Sequence, residues 1–99
     1  MTNHDYHTVI VNFETDADNQ SEALEKIGAY IGSFLSRQPG FIESFLHECT
    51  DGPGIVHYAR WVSEQDFKAA GVKAREHPDL PALMAYKPSG RGYRVWKAY

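Results

Sequence analysis

The turn cluster Thr50-Asp51-Gly52-Pro53-Gly54 constrains this chain more than any other feature. It separates two runs of alternating character, Phe41 to Cys49 and Ile55 to Val62, and turn residues of this kind between such runs predict a β-hairpin. The second run stops at Ser63-Glu64-Gln65-Asp66, where a serine followed three residues later by an acid predicts a capped helix start. The hairpin therefore sets His57, Ala59 and Trp61 on one face of a sheet, directly before a helix that folds back over it. At that corner Trp61 has two readings, core residue or shelf for a ligand.

The flanking segments fit around this hairpin. Tyr6 to Glu14 is rich in β-branched and aromatic residues and predicts a first strand, with Val9, Val11 and Phe13 on one face and Ile10, Asn12 and Glu14 on the other. Asn12 in mid-strand either hydrogen-bonds a neighbouring loop or points into a polar pocket, because an unpaired buried amide is costly. Leu24, Ile27, Ile31, Phe34 and Leu35 form one apolar stripe at helical spacing, ended by Pro39-Gly40. Gly28 and Gly32 sit within it, where they permit close approach to the sheet or leave room for a ligand. A second helix is expected from Ser63 to Arg75, with Phe67, Ala70, Val72 and Ala74 inward, and a short one from Leu80 to Tyr86, with Leu80, Leu83 and Met84 inward. Arg91 to Tyr99 alternates like a last strand.

The order strand, helix, strand, strand, helix, short helix, strand is the split βαβ arrangement of a ferredoxin-like α+β domain, a four-stranded antiparallel sheet with helices on one face. Both hairpin strands are apolar on both faces, whereas an antiparallel sheet with one face in water alternates more cleanly. The second face calls for a cover, and a second subunit is the economical one.

With 99 residues, 42% of them hydrophobic, one core and one domain over 1–99 are expected. A net charge of −3 with scattered basic residues lacks the electrostatic footprint of a nucleic-acid binder. A single cysteine, Cys49, and the lack of a long apolar run point to a cytoplasmic chain with no internal disulfide and no membrane partner. Cys49 reads as a small buried apolar group, His47 as structural or surface, and Arg60 as facing a partner subunit or solvent. His4 and His7, three apart at the chain start, lack the further ligands a metal site needs. Aromatic residues make up 13% of the chain, more than one small core buries easily, so some rings should line a pocket or an interface.

The run from a helix-ending Pro-Gly, through an aromatic-led strand and a turn with Asp-Gly, to a strand closing Tyr-Ala-Arg-Trp and then Ser-Glu-Gln-Asp-Phe, resembles the antibiotic biosynthesis monooxygenase family. The likeness covers nearly the whole chain in element order and is close from Gln38 to Ala70. It implies a dimeric α+β barrel, with a pocket in each subunit between helices and sheet. In the polyketide subgroup it implies oxidation of anthrone-type phenols to quinones by molecular oxygen, with no flavin, metal or haem. That subgroup's pocket uses an Asn on the first strand, an Asn four residues before a Trp at the end of the third, and that Trp. Asn12 and Trp61 match in place; His57 stands where the second Asn would be, and Phe67 where some members carry a Tyr.

The resemblance thus implies Asn12, His57 and Trp61 as catalytic residues, with a small aromatic substrate bound among Phe34, Phe67 and Tyr86. An imidazole at 57 is either a general base, which an Asn cannot be, or a tautomer-locked structural group. Two alternatives remain: a non-catalytic small-molecule-binding or stress-related dimeric module, and a haem-degrading enzyme of the same fold. The latter lacks support from the second helix, which has Ala69 and Ala70 where a Trp would be sought.

Overall fold

The computed structural model describes residues 6–99, so His4 lies outside the described residues. Its elements run β1 (His7–Phe13), α1 (Gln20–Ser33), a 3-10 turn (Leu35–Arg37), β2 (Phe41–Glu48), β3 (Ile55–Trp61), α2 (Glu64–Ala74), α3 (Leu80–Met84) and β4 (Ser89–Tyr93). The strands form one antiparallel sheet in the order β2-β3-β1-β4, the ferredoxin-like topology expected from the element order.

The hairpin closes as its turn residues dictate. The Cys49 N–H donates to the Gly54 carbonyl at 3.0 Å, and Gly54 adopts φ +137°. Gln20, at the start of α1, donates to the Gly54 carbonyl at 3.0 Å and accepts from its N–H at 3.1 Å, which fastens the helix to the turn. At the other end the Ser63 hydroxyl accepts from the Asp66 N–H at 3.1 Å, the cap that starts α2. Gly40 lies against this cap at φ +85°, where a Cβ would run into the Asp66 side chain, so the close approach and the backbone both require glycine.

Strand β3 alternates strictly: Ile55, His57, Ala59 and Trp61 are buried under the helices, and Val56, Tyr58 and Arg60 face the other way. One core cluster joins Ala23, Ile27 and Tyr30 of α1 to Ile55, Leu83 and Tyr86; a second joins Val9, Ala59, Trp61 and Ala70. The helices cover one face only. On the open face Phe45 is 51% exposed and Tyr93 45%, and Arg60 pairs with Glu43 at 2.7 Å while lying over the Tyr6 ring.

Several expectations are corrected. The last strand spans Ser89–Tyr93, not 91–99, because it runs antiparallel to β1 and meets Thr8 already at Tyr93, one residue from the start of that strand. The inward stripe of α1 is Ala23, Ile27 and Tyr30, with Leu24 and Ile31 at its margin, since the sheet approaches one residue earlier on the helix than the most apolar positions suggest. Val72 and Met84 are exposed, because Ala70 and Leu83 occupy the inward positions of their helices. Cys49 is exposed as well, at the open end of the hairpin, where its thiol donates to Asp51 Oδ1 at 3.0 Å. Gly28 and Gly32 make no approach to the sheet that a methyl group would prevent.

Candidate active site

Directly opposed residues of antiparallel strands point to the same side of the sheet. The β1–β3 register pairs Val11 with His57, Val9 with Ala59 and Phe13 with Ile55, and the β2–β3 register pairs Leu46 with His57. His57 therefore stands at the centre of the helix-covered face. Above it lies a cavity of about 240 Å³, walled by Val11 and Phe13 from β1, Ile27, Tyr30 and Ile31 from α1, Phe67, Ala70, Gly71 and Ala74 from α2, and Leu80 and Leu83 from α3. His57 and Tyr30 are the lining residues whose side chains carry polar atoms.

His57 is 4% exposed, and its Nε2 has no hydrogen-bond partner among the described residues. Burial, with a smaller contribution from the neighbouring charge of His47, lowers its pKa to about 4. At neutral pH it is an uncharged imidazole facing an apolar cavity, a proton acceptor or a neutral donor according to its tautomer. Burial also raises the pKa of Tyr30, so its phenol stays protonated.

Trp61 shares the face of His57 but stands four residues along the strand, roughly 13 Å away at the backbone. It is completely buried, with edge-on contacts to Phe41 at 5.3 Å and Phe67 at 5.7 Å between ring centroids. Its indole Nε1, like His57 Nε2, has no hydrogen-bond partner among the described residues. Trp61 is core rather than an open shelf, and Phe67 both touches it and lines the cavity.

Asn12 is placed differently from the sequence expectation that it faces His57 and Trp61. It pairs with Val56, is exposed, and lies on the open face beside His47 and Cys49 at the hairpin end. Of the three expected substrate-binding residues, Phe67 lines the cavity. Phe34 instead packs against Tyr30 and His77, and Tyr86 is buried in the core cluster with its carbonyl accepting from the Glu14 N–H. Tyr30 and Gly71, both in the wall, were not singled out by the sequence. Tyr30 sits three residues after Ile27, at the spacing of the buried stripe, and that is the signal that could have found it. Among the described residues no group of three or more His, Cys, Asp or Glu is placed to hold a metal ion, and no helix is long and apolar enough to cross a membrane.

A ferredoxin-like sheet whose helix-covered face holds an apolar cavity lined by one buried imidazole has the layout of a small-molecule pocket. The sequence pattern of the antibiotic biosynthesis monooxygenase family matches residues 6–71, and the chain belongs to that family. Tetracenomycin-F1 monooxygenase of Streptomyces glaucescens is 30% identical over 74 residues, which cover 75% of this chain and 66%, just under two thirds, of that relative. The crystal structure of a variant of SnoaB, described as a cofactor-independent oxygenase from Streptomyces nogalater, superposes with a TM-score of 0.81 at 25% identity, covering 95% of this chain and 96% of that one. A monooxygenase from the ActVA-Orf6 gene of Streptomyces coelicolor, solved with nanaomycin D, shares the fold with a TM-score of 0.77 at 22% identity, covering 98% and 92%. The family and the fold expected from the sequence are met.

Proposed function

We propose that this protein is a cofactor-independent monooxygenase that oxidises a phenolic, anthrone- or quinol-like aromatic with molecular oxygen. The observation that carries this reading is the buried, uncharged imidazole of His57, which lines an apolar cavity. The names of its relatives, a tetracenomycin-F1 monooxygenase and a cofactor-independent oxygenase, support it.

In this reading a substrate hydroxyl gives its proton to the His57 imidazole, and the phenolate that forms passes an electron to oxygen. One oxygen atom becomes bonded to the ring carbon para to the hydroxyl, that carbon loses its hydrogen, and the second oxygen atom leaves as water. A phenol plus O₂ thus gives a quinone plus water. The substrate supplies all four electrons that reduce oxygen, so the balance requires no external reductant. An empty-site pKa of about 4 makes His57 a weak base, but a phenolate against the imidazolium forms an ion pair that raises it once substrate is bound. The apolar walls strengthen that pairing by excluding water. Trp61 acts as a positioning residue that props the Phe67 ring in the wall.

The open sheet face, with Phe45 and Tyr93 exposed, is in this reading the contact between two copies of the chain, completing a dimeric α+β barrel. Asn12 then lies at that contact and not against the substrate.

The test is an oxygen-electrode assay of metal-free, flavin-free protein with a panel of anthrones, naphthols and quinols. Uptake that His57→Ala abolishes supports the reading, and no uptake across the panel rejects it. The low basicity of His57 favours one second reading, a non-catalytic binder of small aromatics, which would show saturable binding of the same compounds without oxygen uptake.

A further inference from the structure

We propose that the cavity is dimensioned for a hydroxylated arene of two fused rings, with Gly71 of α2 holding open the space for the second ring. The reading above supplies the hydroxyl group for His57, while the size class rests on the cavity alone.

A closed apolar cavity of about 150 Å³ takes up benzene, and each further fused ring adds roughly half a benzene's volume, so two rings require about 230 Å³ and three about 300 Å³. The cavity over His57, about 240 Å³ and open on one side, matches the two-ring figure, so a third ring would project through its mouth. Its roof is made by small residues of α2, namely Ala70, Gly71 and Ala74. Gly71 is informative because nothing in the fold calls for glycine there. A Cβ at this position would meet no heavy atom within 4 Å, its backbone is not left-handed, and glycine within a helix is less stable than alanine. The polar side chains on the wall are the 96%-buried imidazole of His57 and the Tyr30 phenol. A ligand that fits offers one hydroxyl to His57 and bare hydrocarbon to the faces between α1 and α2.

The test is isothermal titration of the full chain with phenol, 1-naphthol and 9-phenanthrol under nitrogen, which separates binding from turnover. Burying a second ring is expected to tighten binding about tenfold or more from phenol to 1-naphthol. The step from 1-naphthol to 9-phenanthrol is expected to change it less than about threefold, because the third ring remains in water. Gly71→Ala is expected to melt no lower than the parent, to weaken 1-naphthol about fivefold or more, and to leave phenol within about twofold. The proposal is overturned if 9-phenanthrol binds about tenfold tighter than 1-naphthol, if Gly71→Ala leaves 1-naphthol binding unchanged, or if none of the three binds. Binding of 1-naphthol in this pattern without oxygen uptake keeps the size class and removes the oxygenase reading. Uptake together with tighter three-ring binding does the reverse.

Discussion

The Phe67 ring packs edge-on against Trp61, with centroids 5.7 Å apart, and the same ring forms part of the wall of the cavity over His57. The first turn of α2, capped by Ser63, delivers Phe67 to this position, and the end of β3 delivers Trp61. Hydrophobic packing at the hairpin corner is thereby coupled to the shape of the site.

Removing either ring should reveal that coupling. Trp61→Ala is expected to cost about 3–5 kcal/mol of stability, the range for emptying a fully buried aromatic site. Phe67→Ala, at a half-buried position, should cost less and change ligand affinity more. Urea unfolding and calorimetric titration of the two variants provide the comparison, and the opposite ranking would show that Phe67 is not a wall of the ligand site.

Acid should destabilise the protein through His57. Its folded-state pKa of about 4 lies below the ordinary 6.5, so between these values the unfolded chain takes up a proton that the folded chain does not. The contribution is fully present above pH 6.5 and is lost as pH falls toward 4, by about 3 kcal/mol in all. His57→Asn should remove this part of the pH dependence. Unfolding free energies measured for both proteins between pH 7 and 4 would run parallel if His57 were not buried as an uncharged group.

The two candidate catalytic residues on opposite faces should respond differently. If oxygen uptake is found, His57→Ala is expected to lower kcat/KM by about 10²-fold or more, the scale of a lost general base. Asn12→Ala, exposed on the open face, is expected to change it less than about threefold. Equal losses in the two variants would contradict this division of roles.

The open face should be where two copies meet. The parent is expected to scatter light as a species of about twice 11.2 kDa, and Phe45→Glu or Tyr58→Glu to halve that mass by placing a charge in the contact. A monomeric parent, or charged variants that remain dimeric, would reject this face as the interface.

Much of the fold was legible because its signals are local. Asp51-Gly52-Pro53-Gly54 set the hairpin, Ser63 and Asp66 set the start of α2, and the two-residue period of a strand set Ile55, His57, Ala59 and Trp61 on one face of β3. The last strand was misplaced because its extent is set by where its partner β1 begins, and not by its own alternation. Tyr30 was missed because a helix stripe read from apolar content alone gave preference to Leu24 and Ile31 over a phenol at the inward position.

By itself the sequence determined which residues share a face within each strand: His57 with Trp61 on β3, and Asn12 with Ile10 on β1. Only the tertiary structure decided which faces come together. The pairing of Val11 with His57 puts the odd positions of both strands under the helices and Asn12 on the open side. Because the side-chain period of a strand is two, a register one residue away would have reversed that choice. Register is a relation between strands distant in the chain, settled by burying Val9, Ile55, Ala59 and Trp61 under one helical layer. The same packing enclosed Trp61 between Phe41 and Phe67 and left His57 as the side chain of β3 that meets the cavity.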